Sequence, residues 1–285
     1  MRLEPAPAKV NLTLAVIGRR ADGYHDIESL VAFAALGDTL AFTLGREFAL
    51  TVRGPTAHAA GPVADNLVLK AARALADRIE GFKGGQFVLS KRLPAAAGIG
   101  GGSADAGAAL RLLARANHLS LDDSRLREAA RATGADVPVC LDPRTRIMRG
   151  IGEILSAPLA LPRLPAVLVN PSVAVATREV FSKLQSTSRR RPQEPDDAVP
   201  LDREGVFSYL RQRPNDLESP AMQIEPAVGA ALAALHASLD CRLARMSGSG
   251  ATCFALFDSM RAATAAARAL RQQHSGWWIR PTTIG

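Results

Sequence analysis

Residues 93–117, LPAAAGIGGGSADAGAALRLLARAN, restrict the fold open to this chain more than any other stretch. Just upstream, QFVLSKRL (86–93) alternates apolar and polar residues and reads as a strand. Downstream, Ala108, Ala109, Leu112 and Leu113 recur on one helical face, with Arg111 and Arg115 towards the C-terminal end, where the macrodipole favours cations. Ser103 is the predicted helix cap, and Asp105 falls in the predicted first turn. Strand, glycine-rich loop, helix is the order that aims free backbone N–H groups at an anion. Glycines allow the approach because they carry no side chain. A plain glycine-rich turn between strand and helix fits the same residues.

Three known phosphate loops fail here. A P-loop ends in Gly-Lys-Ser/Thr, and no lysine follows these glycines. A dinucleotide fingerprint, G-x-G-x-x-G, meets Ser103 where its third glycine belongs, and the protein-kinase loop fails at the same point. The segment therefore reads as a phosphate cradle without its own lysine. Positive charge must come from elsewhere in the chain or from a metal ion.

Around it, the pattern predicts strands over 7–17, in LVAFAAL (30–36) and DTLAFTL (38–44), and over 48–54, with a turn at 19–25. DNLVLKAARALADRIEG (65–81) reads as a helix, and LDDSRLREAARATGADVPVC (121–140) as a second one that stops at Gly134. Prolines thicken after residue 148, so a boundary is placed near residue 155, giving domains 1–155 and 156–285. The second half reads as a strand (166–171), helices near 177–185, 203–213 and 227–238, a strand–turn–strand over 242–257, and a final helix over 259–273. Strands and helices mixed without a βαβ rhythm argue for an α+β fold.

A length of 285 residues suits one large domain or two. No run of 18 apolar residues predicts a membrane span, and the opening MRLEPAPAKVNLTLAVIG lacks the layout of a signal peptide. Cys140, Cys241 and Cys253 are odd in number and not spaced as metal ligands, so they read as buried thiols of a reducing compartment. The net charge of +8 raises nucleic-acid binding, but the one dense run, RRR at 189–191, lies in a proline-rich stretch that also carries acid, read as an exposed loop. Aromatics at 5% are too few for an obvious base-stacking platform.

PAKVNLTL (7–14), LPAAAGIGGGSADAGAAL (93–110) and MSGSGATCFALF (246–257), in that order, resemble the three motifs of the small-molecule kinase superfamily that includes galactokinase, homoserine kinase, mevalonate kinase and phosphomevalonate kinase. GRRADGYHDIESL (18–30), GADVPV (134–139), GIGEIL (150–155) and NDLE (215–218) look like its branch with a cytidine-diphosphate substrate. The resemblance runs from residue 5 to about 260 and departs mainly in the charged loop 186–203. It implies a two-domain α+β fold, with ATP and catalysis in 1–155 and the substrate side in 156–285. The implied reaction is ATP-dependent phosphorylation of a hydroxyl on the erythritol part of the substrate, with Mg²⁺, in the cytoplasm and on the non-mevalonate route to isoprenoids. No nucleic acid or membrane partner is expected.

The resemblance makes Asp136 the catalytic base; locally it also fits a turn or capping aspartate. Lys9 would hold that carboxylate ionised, orient the acceptor hydroxyl and offset developing charge; locally it also fits an exposed strand-edge lysine. Asn11, two residues on, shares its strand face and is a substrate candidate. Pro94, Gly98, Ile99, Gly100, Gly101, Gly102, Ser103 and Ala104 would form the ATP cradle, with the Ser103 hydroxyl an aid to Mg²⁺ and the metal ligands left open. Asn66 resembles the adenine-side position and equally reads as a helix cap. Tyr24 and Phe181 would stack on cytosine with His25 at its edge and Thr177 nearby, although Phe181 also fits the apolar face of its helix. Two alternatives remain: a sister kinase for mevalonate, homoserine or a sugar, and a basic nucleic-acid binder suggested by the pI of about 10.1 and by a fold this superfamily shares in part with a ribosomal protein.

Overall fold

The structure is a computed structural model that describes residues 1–184 and 198–285. The arginine run at 189–191 and most of the charged loop expected over 186–203 lie outside the described residues. In chain order the elements are β1 (Arg2–Asn11), β2 (Ala15–Arg19), β3 (His25–Leu44), β4 (Ala49–Arg53), α1 (Leu67–Ala76), β5 (Gly85–Ser90), α2 (Gly101–Ala116), α3 (Ser124–Thr133) and α4 (Val137–Leu141). They continue with β6 (Arg146–Gly150), β7 (Ile154–Leu155), β8 (Leu164–Asn170), α5 (Thr177–Ser182), α6 (Arg203–Gln212), α7 (Glu218–Ile224) and α8 (Pro226–His236). The last are β9 (Leu243–Met246), β10 (Cys253–Leu256), α9 (Met260–Gln273) and β11 (Trp278–Ile284). The fold class is α+β. Among the described residues no helix is long and apolar enough to cross a membrane.

The chain forms two compact units, interleaved along the sequence. The first comprises Met1–Lys9, Leu36–Ala95 and Gly100–Pro143; the second comprises Val10–Ala35, Ala96–Ile99 and Arg144–Gly285. In the first, the C-terminal half of β3 pairs antiparallel with β5 from Thr39↔Ser90 to Leu44↔Gly85, and β4 pairs parallel with β5. Phe42 and Phe87 meet in that sheet with ring centroids 5.0 Å apart. The helix α1 packs on α2 and α3, and α2 on α4. Asn66 caps α1 by accepting the Val68 N–H, and Asp123 caps α3 from the Arg125 N–H, each satisfying a donor that has no partner within its helix.

In the second unit, β8 is buried at all seven residues and lies between β10 and β11, with β9 beyond β10. An apolar run of this kind needs both faces covered. The N-terminal half of β3 pairs with β2 and β6, and β11 meets β3 at Ile284↔Ala34. The helices α8 and α9 pack against these strands.

Several expectations change. LVAFAAL and DTLAFTL are not two strands but parts of the continuous β3. Gly37, between them, is the point of a close crossing: a Cβ there would stand 2.3 Å from the Ala6 carbonyl oxygen. The expected strand over 7–17 is split, β1 ending at Asn11 and β2 starting at Ala15. After the stop at Gly134, residues 137–141 form the short helix α4, with Pro138 in the first turn, where a missing N–H costs nothing. Cys140 and Cys253 are buried as expected, whereas Cys241 is only half-buried.

Candidate active site

Within the first unit, Lys9 lies near the end of β1 and is 3% exposed, which removes the exposed-edge reading. Its ammonium donates to Asp136 Oδ2 at 2.9 Å, while the Asp136 side chain keeps 35% of its surface open. A buried lysine therefore holds one oxygen of a carboxylate that still reaches outward. Asp136 occupies the residue before α4 and makes no side-chain cap bond there, so the capping role is not the one it plays. The position of α4 is set by α2. A Cβ on Gly107 would stand 2.5 Å from the Cys140 carbonyl oxygen, and that oxygen accepts from Arg111 at 2.6 Å. Arg111 also donates to Glu4 Oε1 and to the Pro5 carbonyl, which ties in the start of β1. Burial, with Asp136 adding, pushes the Cys140 thiol up to about 12, so it stays protonated.

The helix α2 starts earlier than the sequence suggested. Its cap residue is Gly100, in the left-handed region at φ 60°, and no side chain caps the N-terminus. Ser103 is therefore inside the first turn rather than the cap, and Asp105 lies beyond that turn. The N–H groups of Gly101, Gly102 and Ser103 precede the first intrahelical donor, Ala104, which bonds the Gly100 carbonyl. A Cβ on Gly100 would meet Lys9 Cβ and Cε at 3.2 Å and Asp136 Oδ2 at 4.0 Å. The helix N-terminus and the Lys9–Asp136 pair are thus immediate neighbours. Pro94 is half-buried and Ala104 buried. Asn66 is the observed α1 cap.

Within the second unit, the first and third motifs meet the segment Ala96–Ile99. Ser247 Oγ accepts the Asn11 backbone N–H at 3.0 Å and donates to the Gly98 carbonyl at 2.9 Å. The Thr252 N–H donates to the Ala97 carbonyl. Gly98 has φ +70°, and a Cβ there would stand 2.5 Å from the Ser247 carbonyl oxygen, so packing alone demands glycine. Ile99 is fully buried. Asn11 is 1% exposed, and its side chain donates to Ser29 Oγ at 2.7 Å. Thr177, the first residue of α5, shares a hydrogen bond of 2.8 Å with Ser249 Oγ.

The aromatic residues come together differently from the expected sandwich. The ring on Phe181 is that of His25, stacked at 4.9 Å and 24°, while Tyr24 is 60% exposed. Burial, with Arg19 adding, lowers the His25 imidazole below its ordinary value.

Sequence reasoning missed two groups. Asn215 of NDLE is buried and donates to the Met246 and Gly248 carbonyls, while Glu218 accepts the Met246 N–H; the motif fastens the Gly-Ser-Gly turn. Lys91, Asp38 and Asp105 form a buried cluster in the first unit. Asp38 gave no signal because it reads only as the first residue of a predicted strand, 53 positions from the lysine it meets.

The GHMP kinases N terminal domain matches residues 66–142 and the GHMP kinases C terminal domain matches residues 202–276. A homoserine kinase from Cytophaga hutchinsonii shares the fold at TM-score 0.70 and 19% identity, over 99% of this chain and 94% of that one. The two domain matches define a class of ATP-dependent phosphotransferases. A 4-diphosphocytidyl-2-C-methyl-D-erythritol kinase of Xanthobacter autotrophicus is 56% identical over 98% of this chain and 97% of its own. A solved 4-(cytidine 5'-diphospho)-2C-methyl-D-erythritol kinase covers 100% of this chain and 99% of its own, at TM-score 0.81 and 34% identity. The chain belongs to the GHMP kinases, in the family of these erythritol kinases.

Proposed function

We propose that this chain transfers the terminal phosphoryl group of ATP to the 2-hydroxyl of 4-diphosphocytidyl-2-C-methyl-D-erythritol, giving the 2-phosphate and ADP, in the cytoplasm. The observation that carries the reading is the Lys9–Asp136 pair at 2.9 Å beside the uncapped N-terminus of α2. Phosphoryl transfer needs little covalent help; it needs positioning, charge neutralisation and a proton acceptor. Asp136 takes the proton of the attacking hydroxyl, and Lys9 orients that oxygen and offsets charge as it develops. The N–H groups of Gly101, Gly102 and Ser103 hold the phosphates at the positive end of the α2 dipole. Pro94, Gly98, Ile99, Gly100 and Ala104 shape the loop, and Asn66 stands on the adenine side.

On the acceptor side, Asn11 and Thr177 are the polar candidates. Tyr24 and Phe181 take the two faces of cytosine, the base displacing the His25 ring from Phe181 and leaving the imidazole at the base edge. His25, its affinity for a proton lowered, suits that role as a neutral group with one donor and one acceptor. Among the described residues no group of three or more His, Cys, Asp or Glu could hold a metal ion. Mg²⁺ enters with ATP, and the Ser103 hydroxyl, in the first turn of α2, would aid in holding it.

The test is ADP release measured with each acceptor in turn: the cytidine-diphosphate erythritol, mevalonate, homoserine and galactose. Turnover with the first alone is expected. Turnover with mevalonate, homoserine or galactose, and none with the first, overturns the substrate assignment.

A further inference from the structure

Lys91, Asp38 and Asp105 have no part in the chemistry above, yet they place three charges inside the first unit. Lys91 follows β5, Asp38 belongs to β3, and Asp105 lies in α2. The Lys91 ammonium donates to Asp38 Oδ2 at 2.5 Å and to Asp105 Oδ2 at 2.8 Å, and the three side chains are 5%, 0% and 2% exposed. The other Asp38 oxygen accepts the N–H groups of Arg92 and Leu93. Asp105 Oδ1 is buried and finds no donor among the described residues.

Such a cluster is a poor way to gain stability. Each ion loses its water, and well-packed apolar side chains of similar volume fill a core as well or better. One ammonium facing two carboxylates does not even cancel the charge. What the cluster does, and apolar packing does not, is fix direction and distance between particular backbone segments. Its three anchors are the end of β5, the exit of the chain at Arg92 and Leu93, and α2 just beyond its first turn. These bracket the glycine segment on both sides. The ammonium also lies directly under the helix start: a Cβ on Gly101 would stand 3.6 Å from Lys91 Nζ.

We infer that Lys91, Asp38 and Asp105 are positioning residues for the nucleotide: they hold the N-terminus of α2 against the end of β5 so that the Gly101, Gly102 and Ser103 N–H groups converge on the phosphates. The inference rests on the reading that these N–H groups bind ATP. Its requirement is the Lys91–Asp105 tie, not the negative charge of Asp105.

Two variants separate the tie from the charge. Asp105→Ala removes the acceptor for Lys91, whereas Asp105→Asn keeps an oxygen in its place. Binding of ATP alone is measured by calorimetry, and KM for each substrate by steady-state kinetics, on samples whose melting shows them folded. Asp105→Ala is expected to weaken ATP binding and raise its KM by about tenfold or more, with the acceptor KM unchanged. Asp105→Asn is expected to return to within about threefold of wild type. Should the alanine variant not fold, Asp105→Ser, too short to reach Lys91, must give the same loss. Wild-type ATP affinity in a folded alanine or serine variant overturns the inference, as does an asparagine variant no better than alanine. A wild-type protein that does not bind ATP overturns instead the reading beneath it, and the inference with it.

Discussion

Asp136→Asn keeps an oxygen for Lys9 to hold but removes the ability to take a proton. We expect kcat to fall by about 10²–10⁴ while ATP affinity by calorimetry stays near wild type; a variant retaining half its turnover would remove Asp136 from the mechanism. Asp105 gives a different single-residue test. Burial pushes its carboxyl up to about 7, Lys91 pulling against that and Asp38 adding to it, whereas an unfolded aspartate titrates near ~3.9. Burial alone would lower the Lys91 ammonium, but the two carboxylates beside it reverse this and hold it raised. The folded chain thus binds the Asp105 proton more tightly than the unfolded one, and this contribution to stability falls as pH climbs from about 4 to about 7. Asp105→Asn has no such dependence. Its melting temperature relative to wild type should rise between pH 5 and pH 7 and level off above; a constant difference would mean that Asp105 does not titrate across that window.

Among the elements, the glycine segment divides into glycines needed for packing and glycines open to a ligand. Gly98 combines a left-handed φ with a Cβ path blocked by backbone atoms at 2.5 and 2.6 Å. Gly101 has neither; its Cβ would meet only side-chain atoms at 3.6 Å or beyond. Gly98→Ala should therefore lower the melting temperature markedly, and Gly101→Val should fold but bind ATP poorly. Equal stability loss in both would deny the division. The same segment shows what local sequence carries. Caps and stops are local chemistry, so the start of α1 at Asn66 and the stop of α3 at Gly134 were legible, whereas α1 ends at Ala76, short of the expected residue 81. The start of α2 was not legible, because Gly101 and Gly102 are weak helix formers and no side chain caps the turn they begin. The continuity of β3 through Gly37 and Asp38 rests on a close approach to Ala6 and on the buried Lys91, neither of which local sequence shows. The strand β11 carries Pro281 and only short apolar stretches, and its pairing with β8 is visible only in three dimensions.

At the scale of the whole molecule, a boundary near residue 155 follows a change in composition along the chain. Compactness follows pairing partners instead: β3 pairs with β2 and β6 through its first half and with β5 through its second. The Lys9–Asp136 pair was legible because each residue lies in a short motif, PAKVNLTL resembling the superfamily and GADVPV its cytidine-diphosphate branch. The His25–Phe181 stack was not, since 156 positions separate two rings whose contact no local pattern encodes. This division allows a test of ligand assignment. Lys9, Asp136 and Gly100–Ser103 belong to the first unit, and Tyr24, His25 and Phe181 to the second. If cytosine is held by these rings, Tyr24→Ala and Phe181→Ala should each weaken the cytidine substrate while ATP affinity is kept. Base stacking is worth roughly 1–3 kcal/mol per base by truncation, about one to two powers of ten in KM. His25→Ala removes the bond to the base edge and should likewise weaken the cytidine substrate while ATP affinity is kept. Calorimetry of ATP and of the cytidine substrate on the same three proteins decides it. Equal losses for both ligands would report misfolding, and an unchanged affinity for the cytidine substrate would take these rings out of its site.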